Sequence, residues 1–201
     1  MANLWNNITP PGVNSGTFNA DTMLLLTDGS VLVHNANGKE WLRLTPNEFG
    51  DYANPTWSGE LDMTNTRQFF ASGVLKDGRV FAIGGEYSDA GNPTSLGEIF
   101  DPNTNAWTPL NIPSAFNFIN ADASACLLAD GRLLIGSING TRTALWDPLF
   151  NSWTEAGKAF NSLAQTTKVG TIDEETWTLL PDGTVLAVQI TGTPAAEKYI
   201  P

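Results

Sequence analysis

Residues 71–110 read ASGVLKDGRVFAIGGEYSDAGNPTSLGEIFDPNTNAWTPL, and the fold can be deduced from this stretch. Two short apolar runs, Ala71–Leu75 and Arg79–Ile83, flank an Asp-Gly turn, which predicts a β-hairpin. Two further runs, Leu96–Phe100 and Ala106–Pro109, flank a cluster of Asp, Pro, Asn and Thr that favours a tight turn. The stretch therefore predicts four short antiparallel strands within about 40 residues.

The same unit recurs along the chain. Asp-Gly turns between apolar runs begin at Asp28, Asp77, Asp130 and Asp182. The intervals between them are 49, 53 and 52 residues. An aromatic residue followed by Asp-Pro stands seven residues before Trp107 and again seven before Trp153. Four repeats of one β-meander predict an all-β propeller with four four-stranded antiparallel blades.

The tryptophans of the repeats are expected to pack between blades, because each blade's face must be covered by its neighbour. We place six of them at matching strand positions: Trp41, Trp57, Trp107, Trp146, Trp153 and Trp177.

The second repeat carries the features of a known family. The double glycine at 84–85, the aromatic residue before Asp-Pro at 101–102 and Thr108 after Trp107 resemble the kelch repeat of β-propellers. With Arg67 ahead of the hairpin and the stretch at 137–157, the chain is similar to bacterial kelch-type and galactose-oxidase-like propellers. The resemblance covers nearly the whole chain and implies the fold. It leaves the function open, because propellers serve as lectins, oxidases, adaptors and scaffolds alike.

The repeats divide the chain into blades. We expect a closing strand at 1–16 and blades at 17–60, 61–112, 113–160 and 161–201. The fourth blade is predicted to lack its outer strand, because 196–201 match 97–102 and stop before the tryptophan. The N-terminal strand with Trp5, or a strand of another chain, is expected to complete it, since closure removes exposed edges. Three architectures remain open: a four-bladed ring, an eight-bladed ring of two copies, and part of a longer propeller.

Composition limits the partners and the location. With 10 Lys and Arg against 21 Asp and Glu, the net charge is -11, which disfavours binding to nucleic acid or anionic membranes. No apolar stretch reaches the roughly 20 residues of a membrane helix, and the N-terminus lacks the pattern of a secretory signal. A composition rich in Asn, Thr, Gly and Trp and poor in Lys favours an extracellular or virion-associated protein.

Candidate binding residues precede the innermost strands. These strands line the channel of a propeller, so the segments that enter them open on one face. The segments at 19–21, 66–68, 120–122 and 173–175 are polar and mostly acidic. The candidate ligand-binding residues are Asn19, Asp21, Arg67, Asn120, Asp122, Glu174 and Glu175. Alternatively, these side chains cap strand ends and bond to the loop backbone.

Few residues suggest catalysis or metal binding. Convergent carboxylates can serve a glycosidase as acid and base, but their separation does not follow from sequence. The copper radical oxidases among the propellers that the chain resembles need two histidines and two tyrosines, whereas this chain has one histidine, His34. We expect His34 to be solvated or structurally bonded. The segment 86–92 lacks a calcium-ligand spacing. Cys126 is single, so it forms no internal disulfide and is expected to be a small buried apolar residue.

The sequence therefore favours a non-catalytic binding or assembly module that presents a polar, acidic face at the channel mouth to a protein or glycan. It predicts no cofactor, no metal, no nucleic acid partner and no membrane partner. Two alternatives remain. The chain is a fragment of a secreted oxidase-like or glycosidase-like propeller enzyme, or it is a structural subunit that forms a homodimer by exchanging terminal strands.

Overall fold

The structure, a computed structural model, describes residues 8, 18–36, 38–59, 61–91, 94–114, 121–138, 142–158, 175–188 and 196–201. Blade 1 contains β1 (Ala20–Leu25), β2 (Val31–Asn35), β3 (Trp41–Thr45) and β4 (Thr56–Trp57). Blade 2 contains β5 (Ala71–Val74), β6 (Val80–Ile83), β7 (Leu96–Asp101) and β8 (Ala106–Asn111). Blade 3 contains β9 (Ala125–Leu127), β10 (Leu133–Gly136), β11 (Arg142–Asp147) and β12 (Ser152–Lys158). Blade 4 contains β13 (Thr176–Leu179), β14 (Val185–Val188) and β15 (Ala196–Tyr199).

Each blade is an antiparallel meander in which neighbouring strands follow chain order. Three sheets have four strands, and the fourth has three within the described residues. The chain is therefore an all-β, four-bladed propeller, as the repeats predict. The closing strand expected at 1–16 lies outside the described residues, with the exception of Ile8. No helix in the described part of the chain has the length and apolarity needed to cross a membrane.

The Asp-Gly turns close the inner hairpin of every blade in the same way. In blade 1, the Leu26 amide donates to the Ser30 carbonyl at 2.8 Å, and the Gly29 amide donates to the Leu26 carbonyl at 3.0 Å. Gly29 has a φ of +83°, which glycine adopts without steric cost. Asp28 Oδ1 accepts the Ser30 amide at 2.9 Å. Equivalent carboxylate-to-amide bonds occur at the other three turns, so these residues are structural turns.

Three apolar clusters fill the spaces between consecutive blades. Between blades 1 and 2 lie Leu26, Leu32, Trp41, Met63, Val80, Ala82 and Phe100. Between blades 2 and 3 lie Phe81, Ile83, Ile99, Leu133, Ile135 and Trp146, among others. Between blades 3 and 4 lie Cys126, Leu128, Leu134, Leu145 and Val185. Cys126 is therefore a buried apolar residue, and burial raises the pKa of its thiol.

The tryptophans do not all occupy matching strand positions, contrary to the expectation from the sequence. Trp57, Trp107 and Trp153 share one position, the second residue of the outermost strand of a blade. Trp41 begins a third strand, and Trp177 lies in an innermost strand. Both nevertheless pack between blades, because side chains from several strands contribute to each cluster.

Arginines link adjacent blades at the side of the Asp-Gly turns. Arg43 of blade 1 donates to the Pro102 carbonyl of blade 2 at 3.1 Å and to Asn105 Oδ1 at 2.9 Å. Arg79 of blade 2 donates to the Pro148 carbonyl of blade 3 at 3.1 Å. The same kind of bond thus joins blade 1 to blade 2 and blade 2 to blade 3.

Candidate functional site

The segments that enter the innermost strands lie at the side of the propeller opposite to the Asp-Gly turns. The Arg67 amide of blade 2 donates to the Gly38 carbonyl of blade 1 at 3.3 Å. Ala121 of blade 3 donates to the Thr94 carbonyl of blade 2 at 3.1 Å and accepts from the Gly85 amide at 2.5 Å. We call this surface the entrance face. It comprises residues 18–21, 64–70, 121–124 and 175 with the described parts of the connecting loops, 36, 38–40, 84–91 and 94–95.

Asp21, a predicted binding residue, lies beside His34. Asp21 Oδ1 is 2.8 Å from His34 Nδ1, and His34 Nε2 is 3.2 Å from the Gly38 carbonyl oxygen. The imidazole is fully buried and contacts the rings of Trp41 and Phe70. His34 is therefore structurally bonded, and Asp21 positions it.

Asn19 is exposed, and its backbone N–H donates to Asn35 Oδ1 at 2.9 Å. Its neighbour Asp21 is also exposed as a residue, although one carboxylate oxygen faces His34. Both residues therefore reach the surface of the entrance face and can present oxygen or amide groups to a ligand.

Arg67 lies in the interior of the protein instead of on the surface. Its Nη2 donates to Glu98 Oε1 at 3.0 Å, and its Nη1 donates to the carbonyls of Gly84 at 2.9 Å and Leu96 at 2.8 Å. Glu98 also accepts the Thr64 amide at 2.7 Å. Burial lowers the pKa of Arg67, and the nearby Glu98 charge offsets part of that effect. Arg67 thus anchors the entrance segment from beneath, and its guanidinium is not available to a ligand in this structure.

The remaining predicted residues differ in exposure. Asn120 and Glu174 fall outside the described residues. Glu175 is buried, and its Oε2 accepts a hydrogen bond from Trp177 Nε1 at 3.2 Å. Asp122 is half-buried. The carboxylate group of Glu175 therefore contributes little accessible surface.

An exposed aromatic pair, which the sequence analysis missed, lies on the entrance face of blade 2. Phe69 is 59% exposed and Tyr87 is 60% exposed. Their ring centroids are 6.2 Å apart with an interplanar angle of 70°. A bridge between Gln68 and Glu86 holds the two segments together. Two large aromatic rings therefore project from adjacent backbones into solvent.

Both aromatic residues have left-handed backbone conformations. Phe69 has a φ of +56° and Tyr87 has a φ of +51°. Such a conformation costs an ordinary L-residue about 1–2 kcal/mol. Backbone strain of this kind concentrates at functional sites, where the surrounding structure maintains it. In the sequence, the adjacent aromatics Phe69 and Phe70 were the available signal, since one of them must face away from the core.

Polar groups flank the aromatic pair. The Thr66 amide donates to Asp89 Oδ1 at 3.1 Å, and the Asp89 amide donates to Thr66 Oγ1 at 3.0 Å. Asp89 is exposed, so its carboxylate lies at the surface near Tyr87. The arrangement can stack on an apolar ligand face and accept hydrogen bonds from the ligand's edge.

The side chains present do not fit a copper radical site of the oxidase type. His34 is the only histidine of the chain, and both of its ring nitrogens face oxygen atoms of the fold. Within the residues that the structure describes, no three His, Cys, Asp or Glu side chains form a group that could hold a metal ion.

Comparison with known proteins identifies the repeat. The kelch motif family matches residues 69–114. The chain is 28% identical to an F-box/kelch-repeat protein of Arabidopsis thaliana over 103 residues, covering 51% of this chain and 25% of that protein. It is 31% identical to galactose oxidase of Gibberella zeae over 80 residues, covering 40% of this chain and 12% of that protein. The chain thus matches a quarter or less of the length of these relatives.

Solved structures support the fold. A fungal alcohol oxidase of the AA5 family, in complex with copper, aligns with a TM-score of 0.55 and 20% identity, covering 88% of this chain and 40% of that one. At this level of identity the likeness concerns the fold alone. The chain is therefore a four-bladed β-propeller with a kelch motif in its second blade.

Proposed function

We propose that the chain is a non-catalytic binding module that holds a glycan or a protein ligand on the entrance face. The observation that carries this proposal is the exposed pair Phe69 and Tyr87, two aromatic rings on left-handed backbones, flanked by the polar residues Thr66 and Asp89. Rings kept in solvent at a cost in backbone strain do not serve the core. Binding is the function that such rings support best.

The chemistry of the surface favours a hydroxyl-rich ligand. Aromatic rings stack on the C–H faces of sugars, while carboxylate and amide oxygens accept hydrogen bonds from hydroxyl groups. Asp89 supplies an exposed carboxylate beside the ring pair, and Asn19 and Asp21 add polar groups on blade 1. The net charge of -11 disfavours an acidic ligand. We therefore place neutral and amino sugars first, and a protein with a basic or polar surface second.

The experiment is a glycan array of neutral and amino-sugar oligosaccharides, probed with the intact chain and with the Phe69→Ala/Tyr87→Ala variant. We expect binding of at least one glycan and a loss of 10-fold or more in the variant. The control is Phe49→Ala, because Phe49 is 85% exposed but lies in the β3–β4 loop, at the side of the Asp-Gly turns. This loop is tied to that side by the Tyr52 hydroxyl, which donates to the Gly29 carbonyl at 2.6 Å.

Equal binding by the intact chain and the double variant would refute the role of the ring pair. If no glycan binds, the glycan form of the proposal fails. The protein form then has to be tested with basic peptide libraries and the same two variants.

An enzymatic role receives less support from the described residues. Galactose oxidase and the fungal alcohol oxidase are oxidases, but the one histidine here is committed to Asp21 and Gly38. Glu175 is also a poor candidate for the acid or base of a glycosidase, because it is buried and its carboxylate accepts a hydrogen bond from Trp177. We therefore assign the entrance face to binding and not to catalysis.

A further inference from the structure

Each filled space between blades is formed by two unlike faces. We call the side of a blade that faces the preceding blade its leading face, and the opposite side its trailing face. In blade 2, Val80, Phe100 and Trp107 pair across three strands and form the leading face. They pack against Leu26 and Leu32 of the trailing face of blade 1. A leading face thus requires a trailing face as its partner.

The pairing register identifies the leading face of blade 1. Val31 pairs with Leu44, and Leu44 pairs with Trp57, at the positions that correspond to Val80, Phe100 and Trp107. Directly paired residues of antiparallel strands project on the same side of the sheet. Val31, Leu44 and Trp57 therefore form the leading face of blade 1, and this chain has no earlier blade to cover it among the described residues.

This leading face is apolar, and no other blade covers it within the part of the chain that the structure describes. A groove of about 400 Å³ lies on it, lined by Ile8, Phe18, Ala20, Met23, Val31, Val33, Leu44, Tyr52 and Trp57. Met23 is 70% exposed and Leu25 is 64% exposed. Their equivalents in blade 3, Ala125 and Leu127, pack into the cluster between blades 2 and 3. In the other three blades, the preceding blade covers the equivalent surface. We call the groove on blade 1 the socket.

The trailing face of blade 4 is the complementary open surface. Val185 points toward blade 3, so the alternate residues Leu186 and Val188 project on the opposite side. The residues equivalent to Leu186 in the other blades are Leu32, Phe81 and Leu134, and all three are buried between blades. In blade 4, Leu186 is half-buried and Val188 is 37% exposed.

We propose that a second copy of this chain fills the socket, with the trailing face of blade 4 of one copy packed on the leading face of blade 1 of the other. Among the described residues, one face of each kind is left without a covering blade, and the three junctions between blades show that these kinds fit each other. Two such contacts relate two copies by a twofold axis and close a ring of eight blades. Closure leaves neither open face exposed.

The test measures molar mass by light scattering during gel filtration. We expect the intact chain to have twice the mass of the 21.6 kDa chain at micromolar concentration. Leu25→Glu on blade 1 and Val188→Glu on blade 4 each place a charge on one open face, and each is expected to give a monomer. Leu149→Glu is the control, because Leu149 is exposed in the β11–β12 turn, away from both faces. Circular dichroism confirms that each variant is folded.

Mixing the two face variants tests the asymmetry of the contact. In a mixed pair, one contact joins the intact blade 4 of the Leu25→Glu chain to the intact blade 1 of the Val188→Glu chain. We therefore expect a dimer in the mixture and in neither variant alone. A monomeric intact chain would overturn the proposal, as would a dimer that is lost with Leu25→Glu but kept with Val188→Glu, since that result means a contact between two copies of blade 1.

Discussion

Replacement of the buried ion pair beneath the entrance face is expected to be strongly non-additive. Arg67 and Glu98 are both buried, and their nearest atoms are 3.0 Å apart. The variants are Arg67→Met, Glu98→Met and the double replacement. Methionine keeps a long apolar side chain at each site, so that the loss of charge and hydrogen bonds dominates the effect over the loss of volume.

The magnitude follows from the bonds that each variant leaves without a partner. A single replacement leaves one buried charge uncompensated, which costs about 3–5 kcal/mol. The double replacement removes both charges and leaves neutral groups, chiefly the Thr64 amide and the Gly84 carbonyl, at about 1–3 kcal/mol each. The Leu96 carbonyl keeps its bond from the Gly84 amide at 2.9 Å. The double variant should therefore be more stable than the sum of the single effects predicts, by about 3 kcal/mol.

The assay is urea unfolding followed by tryptophan fluorescence. The slope of the unfolding free energy against urea concentration has to be the same in all variants. The matched control is the solvent-accessible pair Arg142 and Glu155, whose atoms are also 3.0 Å apart. Its coupling should be about 1 kcal/mol or less, because water screens exposed pairs. A coupling below about 0.5 kcal/mol for Arg67 and Glu98 would refute the assignment of a buried, mutually compensating pair.

Three further predictions concern the turns and junctions. Gly85→Ala should lower the free energy of unfolding by about 2 kcal/mol or more, since Gly85 has a φ of +102° and a Cβ there would lie 2.8 Å from the Gln68 carbonyl; an unchanged urea midpoint would contradict this. Arg43→Ala should lower the free energy of unfolding by about 2 kcal/mol, because the bonds of Arg43 to blade 2 are lost. Calorimetry of the variant and of the unmodified chain measures this difference. A decrease of only a few tenths of a kcal/mol would show that the link does not stabilise the fold. Hydrogen bonds from the Thr184 hydroxyl, Lys198 and the Thr184 amide hold the pKa of Asp182 at about 2 against 3.8 when unperturbed. Because this folded-state pKa is lowered, the stabilisation is present above about pH 4 and is lost as the pH falls toward 2, so urea midpoints should decrease over that window and decrease less in Asp182→Asn.

The blade architecture could be predicted from the sequence because its determinants are local. Each Asp-Gly turn is stabilised by bonds within five residues, such as those between Leu26 and Ser30. The alternation of apolar residues in each strand sets which face is buried. The same local pattern returns in all four blades, so one recognised unit predicts the others.

The entrance face was harder to predict because its side chains depend on distant partners. Arg67 stands among polar residues in the sequence, a context that favours exposure. In the structure its guanidinium lies in the interior, where it forms an ion pair with Glu98 of β7. The carboxylate of Glu98, which stands between Gly97 and Ile99 in the middle of strand β7, was the signal for a buried cation. The adjacent aromatics Phe69 and Phe70 indicated that one ring faces away from the core, but the positive φ of Phe69 has no signature in the sequence.

The buried position of Cys126 allows the detachment of blade 4 to be measured separately from unfolding of the other blades. Its thiol is covered by the cluster that joins blades 3 and 4, and it is the only cysteine of the chain. A thiol-specific reagent can react only when this cover is removed, and the raised pKa slows the reaction further. The labelling rate of the native chain therefore reports how often blade 4 detaches, and its dependence on urea distinguishes detachment of that blade from unfolding of the whole propeller.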